Sequence, residues 1–303
     1  MTTIELTARD YRQMFQKPTV VFNSVDFSEL NASRADEIRY VAVMADNGSP
    51  VCGLTLGRRG ERFFAPFSAP FASIDINRAH RSSAIIEAVK SICNSYRRLT
   101  LTLPPPPYAE SLTAQLQLAV IAAGGRRAYD DWNFHIDLTL PYQQQLTAAA
   151  RSTLRQSRRE GFAMERGEIA RVYEIIRLNH QHRDYPMRMS LDQVLATAGP
   201  DGVVEADFFV LTDGERDAAA AMIYHTSADV AQVIYWGDVP QCPCRNAMNL
   251  LAAELVEHYT RQGMRALDIG PASSDGVADR GLCDFKSSIG CICTIKPTLE
   301  VDL

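Results

Sequence analysis

The clearest pattern of apolar and polar positions in the chain runs from residue 235 to residue 290. Apolar residues recur there at the three- and four-residue spacing of one buried helix face, and Gly263 follows the last of them. The residues of this face are Met248, Leu251, Leu255 and Tyr259. We predict a helix over residues 246–262 between strands over 231–236 and 264–269. The loop before such a helix can present backbone N–H groups to an anion, so we expect the functional site here.

The rest of the chain alternates strand and helix patterns in the same way. Asp46-Asn47-Gly48 separates two apolar runs, which predicts a β-hairpin over residues 40–44 and 51–56. The other elements are predicted in this order: a helix over 8–16, an extended stretch over 63–72, a helix over 79–95, a strand over 99–103 that four prolines end, a helix over 109–123, strands over 129–140, a helix that ends near residue 182, a strand over 219–224 and a short helix that ends at 285–290.

A shift of 166 residues superimposes these patterns, because 214 minus 48 and 290 minus 124 both give that number. The matched pairs are Gly48 and Gly214, Ile85 and Leu251, Val89 and Leu255, Leu101 and Leu267, Leu103 and Ile269, Pro105 and Pro271, and Gly124 and Gly290. The ordered set predicts a duplicated module, with one domain over 1–142 and another over 143–303. Two unrelated α/β domains are the alternative.

The same shift distinguishes the two copies chemically. Phe285 falls on Ala119, and Lys286 falls on Val120. The second copy therefore carries polar groups where the first has packing residues, so we expect the chemistry in the second copy. The alternative for Lys286 is a surface lysine that follows a buried Phe285.

Composition narrows the classes of function. A net charge of −5, with 46% hydrophobic and 22% charged residues, is typical of a globular protein and argues against bulk nucleic-acid or acidic-membrane binding. No apolar run approaches the roughly 20 residues that span a bilayer, and residues 1–10 do not resemble a signal peptide. Seven cysteines, an odd number, suggest reduced thiols. We expect a cytoplasmic protein without a membrane span.

A cluster of basic residues lies between the two copies. The arginines are Arg151, Arg155, Arg158, Arg159 and Arg166. The first three share a helix face at spacings of four and three. They form either a solvated helix face or a clamp for a phosphate-bearing substrate, because arginine binds phosphate through two parallel hydrogen bonds.

Several other polar residues are candidates for a site. His180 and His182 do not share a helix face, so they do not suggest a metal pair, whereas His182 and Arg183 could line an acceptor cleft or simply cap the helix. His225 and Asp268 are candidate bases, and Asp268 could instead bind a backbone N–H or an arginine. Tyr235 and Trp236 could be pocket walls or core residues. The Cys-x-Cys pairs 242/244 and 291/293, with Cys283, depart from zinc spacing, so we predict no metal site.

These features together resemble the tandem GNAT fold of the Fem aminoacyltransferases and related FemAB-like acyltransferases. The arginine-rich helix that ends at Gly161 opens the second domain as in that family. The sequence Leu267-Asp268-Ile269-Gly270-Pro271 and the later stretch from Gly281 to Lys286, with Gly290, are similar to its closing motif. The resemblance implies an α/β fold of two GNAT-like domains, each a mixed, mostly antiparallel sheet flanked by helices.

The resemblance also implies acyl or aminoacyl transfer to an amine bound in a cleft between the domains. In the Fem enzymes the donor is aminoacyl-tRNA and the acceptor is a peptidoglycan precursor, a role in the bacterial cell envelope. By match to the motif, Lys286 would stabilise the oxyanion. The candidates for binding substrate in that cleft are Phe285, His182, Arg183, Tyr235, Trp236, Asp268 and Arg155. The segment 151–166 could contact tRNA. The expected acceptor is a small-molecule or peptide amine.

The donor loop departs from the coenzyme A motif of ordinary GNAT domains. Gln241, Arg245 and Asn246 remain as candidate phosphate contacts, but the loop has no glycine and carries Pro240 and Pro243, which lack an N–H. The loop of the first copy, residues 76–84, has no glycine either. This departure argues against a standard coenzyme A site. The donor that the resemblance implies is acyl-CoA or aminoacyl-tRNA, with acetylation of a small amine as a further possibility. The alternative function is a non-catalytic binding or scaffold protein that has lost donor binding.

Overall fold

The computed structural model describes residues 1–77 and 81–303. The chain divides into two compact units, which are not consecutive stretches of sequence. Unit 1 consists of residues 1–132, 273–277 and 294–303, and unit 2 consists of residues 133–272 and 278–293. The predicted domains 1–142 and 143–303 are copies of a repeat rather than packing units, so their boundary stays a prediction.

The first half of the chain contains seven strands and four α-helices among its described residues. The strands are β1 (Thr2–Leu6), β2 (Glu37–Met44), β3 (Pro50–Arg59), β4 (Arg62–Ala65), β5 (Asp75–Ile76), β6 (Arg98–Thr102) and β7 (Arg126–Asp137). The helices are α1 (Ala8–Met14), α2 (Val25–Leu30), α3 (Ser82–Ser95) and α4 (Pro106–Ala122). Short 3₁₀ turns occupy Val21–Asn23 and Ala32–Arg34.

The second half repeats this order after two linking helices. The strands are β8 (Ala163–Arg166), β9 (Ala206–Thr212), β10 (Asp217–His225), β11 (Val230–Asp238), β12 (Ala266–Pro271), β13 (Ser273–Ser274), β14 (Val277–Ala278) and β15 (Ile292–Asp302). The helices are α5 (Tyr142–Gln145), α6 (Ala148–Ser157), α7 (Ile169–His182), α8 (Leu191–Ala198), α9 (Ala247–Arg261) and α10 (Arg280–Ser288), with a 3₁₀ turn at Arg158–Glu160.

The two units have the same sheet topology. The strand order is β1-β2-β3-β4-β6-β15 in unit 1 and β8-β9-β10-β11-β12-β7 in unit 2. In both, the fourth and fifth strands pair in parallel and the other neighbours described here pair antiparallel. When the bounds of α3 are shifted by 166 residues, they match those of α9 to within one residue. The predicted duplication is confirmed at the level of topology.

The closing strand of each sheet comes from the other half of the sequence. Residues 298–302 of β15, at the end of the second copy, pair with β6 in unit 1. Residues 133–137 of β7, at the end of the first copy, pair with β12 in unit 2. This exchange was not predicted, because an apolar pattern identifies a strand but not its partner.

Most predicted elements are present, with shifted boundaries. The helix predicted over 109–123 corresponds to α4, in which the non-helical backbone of Ala109 separates a short turn beginning at Pro106 from the continuous helix that follows. Proline fits the first turn of a helix, where its missing N–H has no partner to lose. The strand predicted to end at Ile269 continues through Pro271. The helix predicted to begin at residue 79 begins at Ser82, and residues 78–80 lie outside the described residues. Strands β1 and β8 and helices α2 and α8 were missed.

Each unit has its own apolar core. In unit 1, α3 and α4 pack Val89, Ile92 and Leu116 against the sheet, and all three are buried. In unit 2, α9 buries the predicted face, including Leu251, Leu255 and Tyr259. Within the described part of the chain, none of the helices combines the length and apolar composition that crossing a bilayer requires.

Candidate active site

The candidate site lies in unit 2, where β11 and β12 are paired over only their first three residues. Val230, Ala231 and Gln232 pair with residues 266–268. Beyond that point β11 continues beside β10, and β12 continues beside β7. A bulge in β11 between Val233 and Tyr235 accompanies this change of partner. Bulges redirect side chains and interrupt pairing next to functional sites.

Lys286 points from α10 to the end of β12. Its side chain is only 3% exposed. The ammonium nitrogen lies 3.1, 2.9 and 2.8 Å from the carbonyl oxygens of Ile269, Gly270 and Pro271. It also lies 5.8 Å from the centre of the Phe134 ring, a cation–π distance. The alternative of a surface lysine is wrong. Each of the three N–H groups of the ammonium has a carbonyl within hydrogen-bonding distance.

Asp268 forms the centre of a buried polar network beside this lysine. Its carboxylate accepts from the side-chain amides of Asn133 at 2.8 Å and Gln232 at 3.1 Å. It also accepts from the backbone N–H of Gly270 at 2.9 Å. Asp268 is fully buried. Both of its oxygens are therefore occupied by protein donors.

Three buried polar atoms around Asp268 have no hydrogen-bond partner within the described chain. They are Oδ1 of Asn133, Oε1 of Gln232 and Nδ1 of His135. Asp268 only accepts, so it fixes both amide groups with their nitrogens towards it and leaves their oxygens unpaired. Burial lowers the pKa of His135 despite the nearby carboxylates of Asp268 and Asp137.

Asn133, His135 and Gln232 were missed in the sequence. Their only signal was an alternation of polar and apolar residues along strands otherwise predicted as core, which does not reveal that Asp268 lies opposite His135 and Gln232.

The aromatic candidates separate onto the two faces of β11. Trp236 lies against Phe285, with ring centres 5.9 Å apart. Tyr235 instead faces α7, where its ring lies 5.4 Å from that of His180. Burial lowers the pKa of His180. Phe285 and Trp236 thus form one aromatic pair, and Tyr235 belongs to a second group.

The remaining candidates lie on the surface. Arg183 pairs with Asp238 at 3.1 Å. His182 is exposed at the end of α7, and Arg155 is exposed on α6. Their roles in substrate binding stay predictions.

The predicted donor loop already holds an anion from the protein itself. The carboxylate of Glu160 accepts from the backbone N–H of Arg245 at 2.7 Å, just before α9. Gln241 and Asn246 both have positive φ angles, and the side chain of Asn246 does not cap the helix. A phosphate that bound this N–H would have to displace Glu160, because two anions at one helix terminus repel each other.

The candidate base His225 lies in a different cluster. Its Nε2 is 2.8 Å from Asp207, which also accepts from Tyr259 at 2.9 Å and pairs with Arg166 at 2.7 Å. His225 belongs to the end of β10, and its partner in β11 is Ala231. Asp268 cannot readily serve as a base either, because three donors already bind its carboxylate. No base is assigned.

The cysteines in the candidate regions are free thiols. Burial raises the pKa of Cys242. Cys242, Cys244, Cys283, Cys291 and Cys293 form no disulfide. Within the described residues, the structure contains no group of three or more His, Cys, Asp or Glu side chains that could hold a metal ion.

Comparison with protein-family models gives no match, and comparison with curated proteins gives none either. The crystal structure of FemX, however, matches with a TM-score of 0.70 and 10% identity, over 100% of this chain and 98% of that chain. The chain has the fold of FemX. L-PGS from Bacillus licheniformis matches with a TM-score of 0.60 and 12% identity, over 98% of this chain and 93% of that one.

A third match is the C-terminal domain of a protein assigned as a lysylphosphatidylglycerol synthetase from Agrobacterium fabrum. Its TM-score is 0.59 at 13% identity, over 98% of this chain and 93% of that chain. The Fem-like resemblance and the α/β fold class of two tandem GNAT-like domains are confirmed. At these identities the matches show the fold.

The described residues of unit 1 contain no counterpart of Lys286 at the matching position. The position of Lys286 is taken by Val120, which is completely buried in the core. Beyond the paired part of β4 and β6, the backbone N–H of Ala72 donates to Thr102, and Phe71 packs against Tyr108. The chain of unit 1 itself therefore fills the region that corresponds to the candidate site of unit 2.

Proposed function

We propose that this protein is a transferase that moves an acyl or aminoacyl group from an activated donor to an amine, with the reaction in unit 2. The observation that carries the proposal is the buried ammonium of Lys286 at the end of β12. It occurs in a fold shared with FemX, at a position where unit 1 has an apolar residue.

The proposed role of Lys286 is electrostatic. When an amine attacks the donor carbonyl, its oxygen becomes negative, and a fixed positive charge beside it lowers the barrier by a few kcal/mol. Because each N–H of Lys286 faces a backbone carbonyl, the lysine either acts through its charge alone or exchanges one carbonyl for the oxyanion. The attacking nitrogen forms the new C–N bond, the bond from the carbonyl carbon to the sulfur or ribose oxygen of the donor breaks, and the proton of the nitrogen passes to that leaving group.

The donor is acyl-CoA or aminoacyl-tRNA, and the acceptor is a small-molecule or peptide amine. Aminoacyl transfer is supported by the name of the Agrobacterium protein, which describes a lysyl group attached to phosphatidylglycerol. A tRNA would contact the exposed arginines of residues 151–166, such as Arg155 and Arg159. Phe285 and Trp236 would form an apolar wall for the transferred group.

The second candidate is a binding or scaffold protein of the same fold that has lost its donor. Glu160 favours this candidate, because its carboxylate takes the backbone N–H that a donor phosphate would use. Titration with coenzyme A and with charged tRNA discriminates the two functions, since a non-catalytic protein binds neither.

The experiment is a transfer assay with radiolabelled acyl-CoA or aminoacyl-tRNA and a panel of amines, including peptides. We expect label in an amine product with the wild-type protein and its loss in Lys286→Met, which keeps the side-chain volume. Lys90→Ala, which removes an exposed lysine from α3 of unit 1, is the matched control and should keep full activity. Transfer that is unchanged in Lys286→Met would overturn the role of Lys286, and absence of donor binding would favour the second candidate.

A further inference from the structure

The end of β12 is not a regular strand. In a strand, successive carbonyls point to opposite sides, so three consecutive ones cannot reach a single atom. Here the carbonyls of Ile269, Gly270 and Pro271 all lie within 3.1 Å of one nitrogen. The backbone makes this possible at Gly270, whose φ of +79° lies in the left-handed region.

Asp268 holds that turn in place. Its carboxylate accepts from the N–H of Gly270, two residues later, which is the local hydrogen bond by which aspartate forms a turn. Asn133 from β7 and Gln232 from β11 fix the carboxylate from the neighbouring strands. The side chain is thereby locked between three strands of unit 2, and a locked side chain can define the backbone that follows it.

The three carbonyls match the chemistry of an ammonium group. An ammonium has three N–H donors and no acceptor, and the three distances of 2.8 to 3.1 Å give each donor one carbonyl. Asp268 supplies a negative charge on the same turn, which further favours a cation there. In contrast, nothing about the site requires the cation to be covalently attached to the chain.

We propose that Asp268 is a positioning residue that folds the end of β12 into a cradle of three carbonyls, and that this cradle binds an ammonium group, the place now filled by Lys286. The inference rests on the proposed function, because it explains how the catalytic cation is held. It also reassigns Asp268, which does not act as a base or contact substrate.

The first test is rescue of the empty cradle by a free amine. In Lys286→Ala the carbonyls lose their donors, and we expect the melting temperature to fall by about 5 °C or more. Ethylammonium at about 50 mM should restore part of this loss in Lys286→Ala. Tetraethylammonium, which has no N–H, should not, and neither cation should stabilise the wild type. An equal effect of both cations, or none, would overturn the cradle.

The second test links the cradle to Asp268 without emptying it. In the wild type, Lys286 should be protected from acetylation by acetic anhydride, measured by mass spectrometry. In Asp268→Asn its labelling should be at least about tenfold faster, because the cradle opens more often. The control is Asp284→Asn, which removes an exposed carboxylate from α10, the helix that carries Lys286. It should leave the labelling of Lys286 unchanged.

Asp268→Asn should also abolish the rescue of Lys286→Ala by ethylammonium. If the double variant is rescued as well as the single one, or if labelling of Lys286 does not change in Asp268→Asn, Asp268 does not position the cation. Neither test measures transfer, so the inference can fail while the proposed function stands, and the transfer assay can fail while the cradle stands.

Discussion

Single buried charges decide how the stability of each unit depends on pH. Unit 1 contains Asp75, which accepts from the backbone of Thr19 at 2.7 Å and from Asn23 at 3.1 Å. Burial nevertheless raises the pKa of Asp75 to about 6, because the hydrogen bonds offset only part of the cost of burying the charge. In Asp207 of unit 2, by contrast, hydrogen bonds and a nearby arginine outweigh the effect of burial and lower the pKa of the carboxyl group.

Asp75→Asn should stabilise the protein at neutral pH. A raised carboxyl pKa means that the folded state binds more protons between about pH 4 and 6, so stability falls as pH rises through that window. The neutral amide removes this loss, so the stability of the variant minus that of the wild type should be about 2 kcal/mol larger at pH 7.5 than at pH 4. Urea unfolding at both pH values checks this, and a difference that does not depend on pH would contradict it.

His225 and Asp207 should give a stability maximum at mildly acidic pH. Burial alone would raise the pKa of Asp207, but hydrogen bonds from His225 and Tyr259 and the charge of Arg166 outweigh it and hold that pKa low. The hydrogen bond to Asp207 in turn raises the pKa of His225. The contribution of His225 is full below about pH 6.5 and is lost as pH rises through its raised pKa. That of Asp207 is lost only in strong acid.

The measurement is the free energy of unfolding of the wild type and His225→Gln from pH 5 to 9. The wild type should lose stability above neutrality, and the variant should show a flatter profile in that range. His182→Gln, which changes an exposed histidine, should follow the wild type. A parallel decline in all three proteins would refute the assignment.

Close contacts between elements fix the strand that leads into the donor loop. Gly237 of β11 lies under Asn179 of α7, and a Cβ built on Gly237 would come within 2.4 Å of that side chain. Asn179 cannot move aside freely, because its amide donates to both the backbone and the carboxylate of Asp238. Helix α7 and strand β11 can therefore approach only through a glycine.

Gly237→Ala should cost about 1 to 3 kcal/mol, the usual range for overpacking a rigid contact. Thermal unfolding measures it. Gly214→Ala is a useful comparison, since that glycine has open space around it but a φ of +93°, so its cost is backbone strain alone. A double variant, Gly237→Ala with Asn179→Ala, should recover part of the loss, and a failure to do so would point to the backbone instead.

The spacing of apolar residues predicted the helices and strands better than it predicted which residues contact one another. The hairpin of β2 and β3, the helix α9 and its buried face follow from spacing within a few residues, and the structure has all of them. The burial of Lys286 could not be read in this way. Its acceptors are carbonyls 15 to 17 residues earlier, and only the turn at Gly270 makes them converge.

Site chemistry was harder to predict for the same reason. The sequence offered Asp268 as a candidate base, but its partners Asn133 and Gln232 lie 135 and 36 residues away in sequence. Glu160 gave no signal at all, since an acidic residue after arginines is ordinary on a surface. Its contact with Arg245 depends on how α6 and α9 pack.

The whole molecule depends on the exchanged strands. Unit 1 needs residues 294–303, and unit 2 needs residues 133–137, to complete their sheets. Without β15, the edge of β6 would expose backbone N–H and C=O groups, which promote aggregation. Val301 and Leu299, both fully buried in the core of unit 1, would also be lost.

Deletion of residues 294–303 should therefore unfold unit 1, although the deleted residues follow unit 2 in the sequence. Limited proteolysis with mass spectrometry should find early cleavage within residues 1–132, while sites in residues 133–272 stay protected longer. Deletion of residues 1–6, which removes the edge strand β1, is the control and should have a smaller effect. Early cleavage confined to residues 133–272 would contradict the exchange.

The position of β15 also sets an order on synthesis at the ribosome. The first half of the chain emerges before the second, yet the sheet of unit 1 lacks a strand until residues 298–302 have been translated. During synthesis, β6 of unit 1 therefore remains an unpaired edge strand while the second half of the chain is translated, at about 5–20 residues per second. Cells that make this protein therefore have reason to shield that edge with a chaperone during elongation.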